Sequence, residues 1–205
     1  MPSSDSYFTV TKNEEALFKD RGSKFFAFAF PVNQETDIKQ HLDALRKSHP
    51  GARHHCYAWR LGADGLTFRA NDDGEPSSTA GKPILGQIQS KELTNILIVV
   101  VRYFGGTLLG AGGLINAYRS AAALVINECE IVERFIMFEY EIRYTTSDTS
   151  AVMRLLKDVG ARITFSDYDQ HNLLRFVCRK RDSEQLENKF SDLYAVNLKF
   201  LNIAG

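Results

Sequence analysis

Two glycine-dense segments bracket one apolar run, and that arrangement constrains this chain more than any other feature. The run Thr94–Phe104 is rich in Val and Ile and reads as a buried central strand. It feeds into Gly105–Gly113, where five of nine residues are glycine. Upstream lies Asp72–Leu85 (DDGEPSSTAGKPIL), with Gly74 and Gly81. Each segment leads towards a helix, so each predicts a turn whose backbone N–H groups face outward. The helix dipole adds partial positive charge there, which makes anion or phosphate binding the functional expectation. The competing expectation is that the glycines only permit positive φ and tight strand–helix packing. The residues alone leave both open.

A chain of 205 residues fits one large domain or two small ones. Lys+Arg and Asp+Glu balance at 25 each, and neither half escapes that balance. From Arg134 onwards there are 11 basic and 10 acidic residues, leaving 14 and 15 before it. This excludes the basic footprint of a protein that grips long duplexes through many phosphates, so any nucleic-acid contact must be a local patch. Cys56, Cys129 and Cys178 are odd in number and widely spaced, which reads as reduced thiols. The start, MPSSDSYFTV, lacks the pattern of a signal peptide. The longest apolar run, Ile96–Val101, is far too short for a membrane span. The expected location is the cytoplasm, with no membrane contact.

The fold class expected from the periodicities is α+β in two domains, 1–132 and 133–205. In the first, Lys24–Pro31 and Thr94–Phe104 read as buried strands, and His54–Arg60 and Leu66–Ala70 as a hairpin closed by Gly62–Gly65. Thr36–Lys47 places Ile38, Leu42 and Leu45 on one helical face, stopped at His49-Pro50-Gly51. Ser77–Gln89 holds a helix interrupted or started around Pro83, and Leu114–Asn127 reads as a helix. In the second domain Phe135–Tyr144 alternates, with Ile136, Phe138, Tyr140, Ile142 and Tyr144 facing one way. A helix over Asp148–Val159 ends at Gly160, a hairpin joins Ile163–Tyr168 to Leu173–Cys178, and Asp182-Ser-Glu-Gln185 has capping-box spacing. Val196–Leu201 reads as the last strand. The order β-α-β-β-α-β is the ferredoxin-like signature.

Motif tests narrow the chemistry. Six residues separate Gly74 from Gly81-Lys82 where a P-loop has four, and Pro83 stands where it needs a hydroxyl. The dinucleotide fingerprint fails because Gly110 and Gly112 would put its third small residue at Ile115. His54 and His55 point to opposite faces of a strand, so His54 and Cys56 alone cannot build a tetrahedral zinc site. Arg102-Tyr103 sits where the strand meets the glycine turn. There a guanidinium and a phenol could meet a phosphate or stack on a base, and the guanidinium could equally pair with Asp72, Asp73 or Glu75. Those three carboxylates could hold a cation or act as acids, though no nucleophile accompanies them. In the second domain Arg143, Arg175, Arg179 and Lys199 share a sheet face diluted by Glu139 and Glu141.

Together with Arg53-His54-His55, these two segments resemble the YigZ/IMPACT family, in which an R-H-H-C-type strand, D-D-G-E-P-x-x-T-A-G-K-P and V-R-Y-[FY]-G-G-x-x-L-G-x-G-G-L recur in this order. The resemblance runs the full length. It implies an N-terminal sheet with helices like the second domain of ribosomal protein S five, and a C-terminal ferredoxin-like domain like one in elongation factor G. It also implies RNA or ribosome-associated binding and regulation of translation.

The candidate binding set is therefore Arg53, His54, Asp73, Glu75, Thr79, Gly81, Lys82, Arg102, Tyr103, Gly105, Gly106, Gly110, Gly112 and Gly113. No catalytic residue, metal ligand or cofactor is assigned. The leading expectation is a non-enzymatic protein binding RNA or a translation component. The alternatives are a phosphate- or nucleotide-binding enzyme and a protein–protein regulatory module.

Overall fold

Residues 96–103, the core of the apolar run, form the middle strand of a five-stranded antiparallel sheet. The computed structural model describes residues 5–168, 172–193 and 195–204, and the chain there divides into two units. One is Tyr7–Arg134; the other is residues 135–204 with Asp5 and Ser6.

In chain order the first part carries β1 (Ser6–Val10), β2 (Glu14–Asp20), β3 (Ser23–Pro31), α1 (Glu35–Ser48), β4 (His54–Leu61), β5 (Thr67–Asn71), α2 (Gly81–Ser90), β6 (Ile96–Tyr103), α3 (Gly110–Glu128) and β7 (Ile131–Phe135). The sheet order is β2-β3-β6-β4-β5, and β1 pairs with β7 as a two-stranded ribbon. Helices cover both faces of the large sheet, which is why β6 is apolar without alternation. On one face Ile38, Leu42 and Leu45 of α1 meet Tyr57, Trp59, Leu97, Val99 and Val101. On the other, α2 and α3 pack Ile84, Ile88, Tyr118, Ala121 and Val125 on Phe25, Cys56, Ile98 and Val100. Successive residues of one strand thus enter different cores, and this later separates Arg102 from Tyr103.

Several boundaries differ from the sequence expectation. α2 begins at Gly81, two residues before Pro83, because residues 77–80 wrap around the Asp72 carboxylate instead of winding into a turn. α3 begins at Gly110, four residues before Leu114, so Gly112 and Gly113 are helical rather than part of a loop. β1, β2 and β7 went unread. In β2 (EEALFKD) four charged residues mask a half-buried edge strand.

The second unit carries β8 (Met137–Tyr144), α4 (Thr149–Asp158), β9 (Arg162–Asp167), β10 (Asn172–Arg179), α5 (Lys180–Ser191) and β11 (Asn197–Ala204). Its sheet runs β11-β8-β10-β9, all antiparallel, which is the ferredoxin-like connectivity. Val152, Leu156, Leu186 and Phe190 close its core over Tyr140, Ile142, Leu174 and Phe176. The end of α4 is a full Schellman motif: Gly160, at φ +62°, donates to the Lys157 carbonyl at 3.0 Å, and Ala161 to Leu156 at 2.9 Å. The capping box at Asp182 is not formed. α5 already begins at Lys180, and the Ser183 hydroxyl donates to the Lys180 carbonyl at 2.7 Å. No helix among the described residues is long and apolar enough to cross a membrane.

Candidate functional site

His54 of β4 lies opposite Arg102 of β6 in the antiparallel register, which places both on the sheet face covered by α2 and α3. Two loops flank these positions, residues 72–80 after β5 and residues 104–109 after β6. Between them opens a cleft of about 430 Å³. Arg53, His54, Glu75 and Arg102 supply its polar lining, and Gly110 and Ala111 bring in the first turn of α3. Pro76, Phe104, Leu108, Leu109 and Leu114 form an apolar wall.

The floor is a chain of buried polar contacts. Arg102 Nη1 donates to Glu75 Oε1 at 2.7 Å, and Tyr118 OH donates to the same oxygen at 2.8 Å. Cys56 Sγ lies 3.3 Å from Tyr118 OH and 3.0 Å from the Asp72 carbonyl. Burial first, then the neighbouring Cys56 and Glu75, push the Tyr118 phenol far above its ordinary range. Burial does the same to the Cys56 thiol, which is therefore no nucleophile at neutral pH. The Arg102 guanidinium lies 5.5 Å from the Phe25 ring and 5.7 Å from that of Phe104. Its buried Nε has no hydrogen-bond partner among the described residues.

The acidic stretch is consumed internally. Asp72 accepts the backbone N–H groups of Ser78 (2.8 Å), Ala80 (3.0 Å) and Gly81 (2.8 Å). Burial works to raise its carboxyl, but these three N–H groups with Lys82 hold it below the ordinary range. Asp73 Oδ2 accepts the His55 N–H at 2.6 Å, and its carbonyl lies 2.9 Å from His54 Nδ1. A carbonyl can only accept, so His54 carries its proton on Nδ1. With Asp72, Asp73 and Glu75 facing separate partners, a shared cation site has no donor set. Among the described residues no three His, Cys, Asp or Glu are grouped to hold a metal.

This geometry corrects the expectation of two open, convergent helix N-termini. That of α2 is plugged by Asp72, and Gly81 sits against Asn71 so tightly that a Cβ would lie 2.5 Å from its backbone nitrogen. That of α3 is open: its N-cap, Leu109, offers no side-chain bond, and no acidic residue sits in its first turn.

Of the residues singled out in the sequence, Arg53, His54, Glu75, Arg102 and Gly110 line the cleft. Gly112 and Gly113 belong to the first turns of the same helix. Tyr103 does not join them. It faces the α1 side, where its hydroxyl lies 3.0 Å from His49 Nδ1. Thr79 donates to the Pro76 carbonyl at 2.6 Å, and Lys82, on the first turn of α2, is outside the lining. Gly105 is a packing glycine, its absent Cβ standing 1.9 Å from the carbonyl carbon of Gly22; Gly106 holds φ at +87° with nothing nearby. Sequence reasoning missed Phe104 and Leu108, which are 54% and 84% exposed. The available signal was two large apolar residues set in a glycine loop with no amphipathic pattern to bury them. In the second unit Arg143 and Arg175 both bond to Glu141, so the basic sheet face is largely neutralised.

The comparisons with known proteins bear on this region directly. The family described as Impact N-terminal domain matches residues 21–126, which include both loops of the cleft. The chain is 35% identical over 183 residues to the IMPACT family member YigZ of Escherichia coli (strain K12), covering 88% of this chain and 90% of that protein. It is 38% identical over 143 residues to the IMPACT family member YvyE of Bacillus subtilis (strain 168), covering 70% and 64%. A crystal structure of a hypothetical protein superimposes with a TM-score of 0.72 at 29% identity, covering 98% of this chain and 99% of that one. With a family match over half its length and a relative aligned along most of it, this chain belongs to the IMPACT family.

Proposed function

We propose that this chain is a cytoplasmic, non-catalytic protein that binds RNA of the translation machinery and thereby regulates translation. One observation carries the reading. The cleft brings Arg53, His54 and the open N-terminus of α3 beside the exposed ring of Phe104. The Arg53 cation and free amides suit a phosphate, and an exposed aromatic suits an unstacked base. Binding is favoured over catalysis because the groups a reaction would need are committed elsewhere. Asp72 caps a helix, Asp73 holds a strand amide, Glu75 neutralises Arg102, and the Cys56 thiol stays protonated.

Filter binding of a single-stranded and a structured RNA at about 50 and 200 mM salt tests this. Affinity should fall with salt, and Arg53→Ala should weaken binding while lowering the salt slope by about one unit. Affinity indifferent to both salt and Arg53→Ala would overturn the proposal. Arg53 is the right probe because it is exposed, whereas removing Arg102 would damage the fold.

A further inference from the structure

We infer that the cleft is a pocket for a single nucleoside monophosphate unit, its phosphate at the N-terminus of α3 and its base against Phe104 and Leu108. This rests on the RNA-binding reading and gives it a ligand chemistry. Three independent features converge. First, α3 is a 19-residue helix whose first turn has neither a capping side chain nor an acidic residue, so its orphan amides belong to a turn that lines the cleft at Gly110 and Ala111. Second, the floor residue Arg102 is only 7% exposed and has a buried Nε with no hydrogen-bond partner among the described residues. That nitrogen is enclosed, but the guanidinium lines the cleft and is fixed there by the bond from Nη1 to Glu75, so an anionic oxygen in the cleft would meet a rigidly held cation. Third, the opposite wall is apolar and open. Phe104 and Leu108 are exposed on the loop that lines the cleft, which suits a planar base with one face to stack.

Size and charge narrow the occupant. A cleft of about 430 Å³ lies within the range of small-ligand sites and has room for one base with its ribose phosphate, not for a paired strand. Glu75 already neutralises Arg102, so the pocket offers the helix terminus and Arg53 against the charge of a single phosphate. Both hydrogen bonds to Glu75 use Oε1. Oε2 thus has no partner among the described residues and remains an acceptor for a donor on the ligand. The unit could be a free nucleotide or an unpaired nucleotide of an RNA chain; the chemistry recognised is the same.

The test uses the whole protein, with AMP, adenosine and a short labelled single-stranded RNA as probes, measured by calorimetry and competition. Two variants separate binding from folding. Gly112→Asp places a carboxylate in the first turn of α3, where an added Cβ meets nothing within 4 Å. It should hold or raise the melting temperature, since an acid there suits the helix dipole, while occupying the amides a phosphate needs. Phe104→Ala removes an exposed ring.

AMP should bind at least about tenfold more tightly than adenosine, Gly112→Asp should abolish that ratio, and Phe104→Ala should weaken both. Displacement of the labelled RNA by AMP identifies an RNA nucleotide as the natural source. AMP binding without RNA binding keeps the pocket, assigns it a free nucleotide and overturns the RNA reading. RNA binding that AMP does not displace and that survives both variants overturns the pocket while leaving the RNA reading intact. Neither probe binding overturns both.

Discussion

Arg102 reaches Glu75 across 2.7 Å in the cleft floor, and both side chains are more than nine-tenths buried. A buried ion pair is costly to break from one side, because the survivor is left charged and unpaired. Glu75→Ala or Arg102→Ala should therefore destabilise the protein by about 3–5 kcal/mol. The double variant Glu75→Gln with Arg102→Met should lose less than the sum of its singles. A denaturant double-mutant cycle measures the difference; additivity would show that the pair is not coupled.

Asp72 does for α2 what no residue at its N-cap does. Its carboxylate accepts three backbone N–H groups, so Asp72→Ala should cost about 2–3 kcal/mol, at or above the upper end for a helix cap. Asp72→Asn, keeping one acceptor oxygen, should cost less. Urea midpoints, with hydrogen exchange at Ala80 and Gly81, read the effect.

Two glycines offer opposite outcomes for the same substitution. Gly105→Ala drives a methyl into the Gly22 backbone, 1.9 Å away, and should destabilise by about 3 kcal/mol or more. Gly86 lies inside α2 with no atom within 4 Å of an added Cβ, so Gly86→Ala should stabilise by about 0.5–1 kcal/mol. Thermal melts of the two variants should move in opposite directions.

His55 is buried in β4, and desolvation, helped by Arg46 and His49 against the opposing pull of Asp73, holds its pKa below the ordinary value. His41, stacked 4.1 Å from Phe30, is lowered for the same first reason. The unfolded chain then takes up protons at a higher pH than the folded one. Stability should be complete above about pH 6.5 and fall as the pH drops below it, before the carboxylates begin to titrate. His55→Asn should flatten that part of the profile. A melting temperature constant between pH 7.5 and about 5.5 would contradict the assignment.

What the residues disclosed follows from which physical signals are local. β6 was legible because seven of its eight residues are buried, and a strand covered on both faces is continuously apolar. The βαββαβ order was legible because β8, α4, β10 and α5 each keep a clean period. The start of α2 is legible in the sequence only as far as Pro83, because its closing bond comes from Asp72, nine residues before Gly81, where no spacing rule looks. The start of α3 was misread because its first four residues are Gly, Ala, Gly and Gly, which propensity assigns to a loop. The candidate set named five cleft residues, yet it put Tyr103 with Arg102 although neighbours on a strand face opposite ways. It also passed over Phe104 and Leu108, since apolar residues announce a core unless geometry shows them bare.

The two deeply enclosed cysteines have a practical use. Cys56 is sealed in the larger unit and Cys178 in the smaller, whereas Cys129 is only partly covered. An alkylating reagent should modify Cys129 first and reach each of the others only when its own unit opens. Peptide mapping of the labelled chain over time would then give two clocks in one experiment, one timing the breathing of each half.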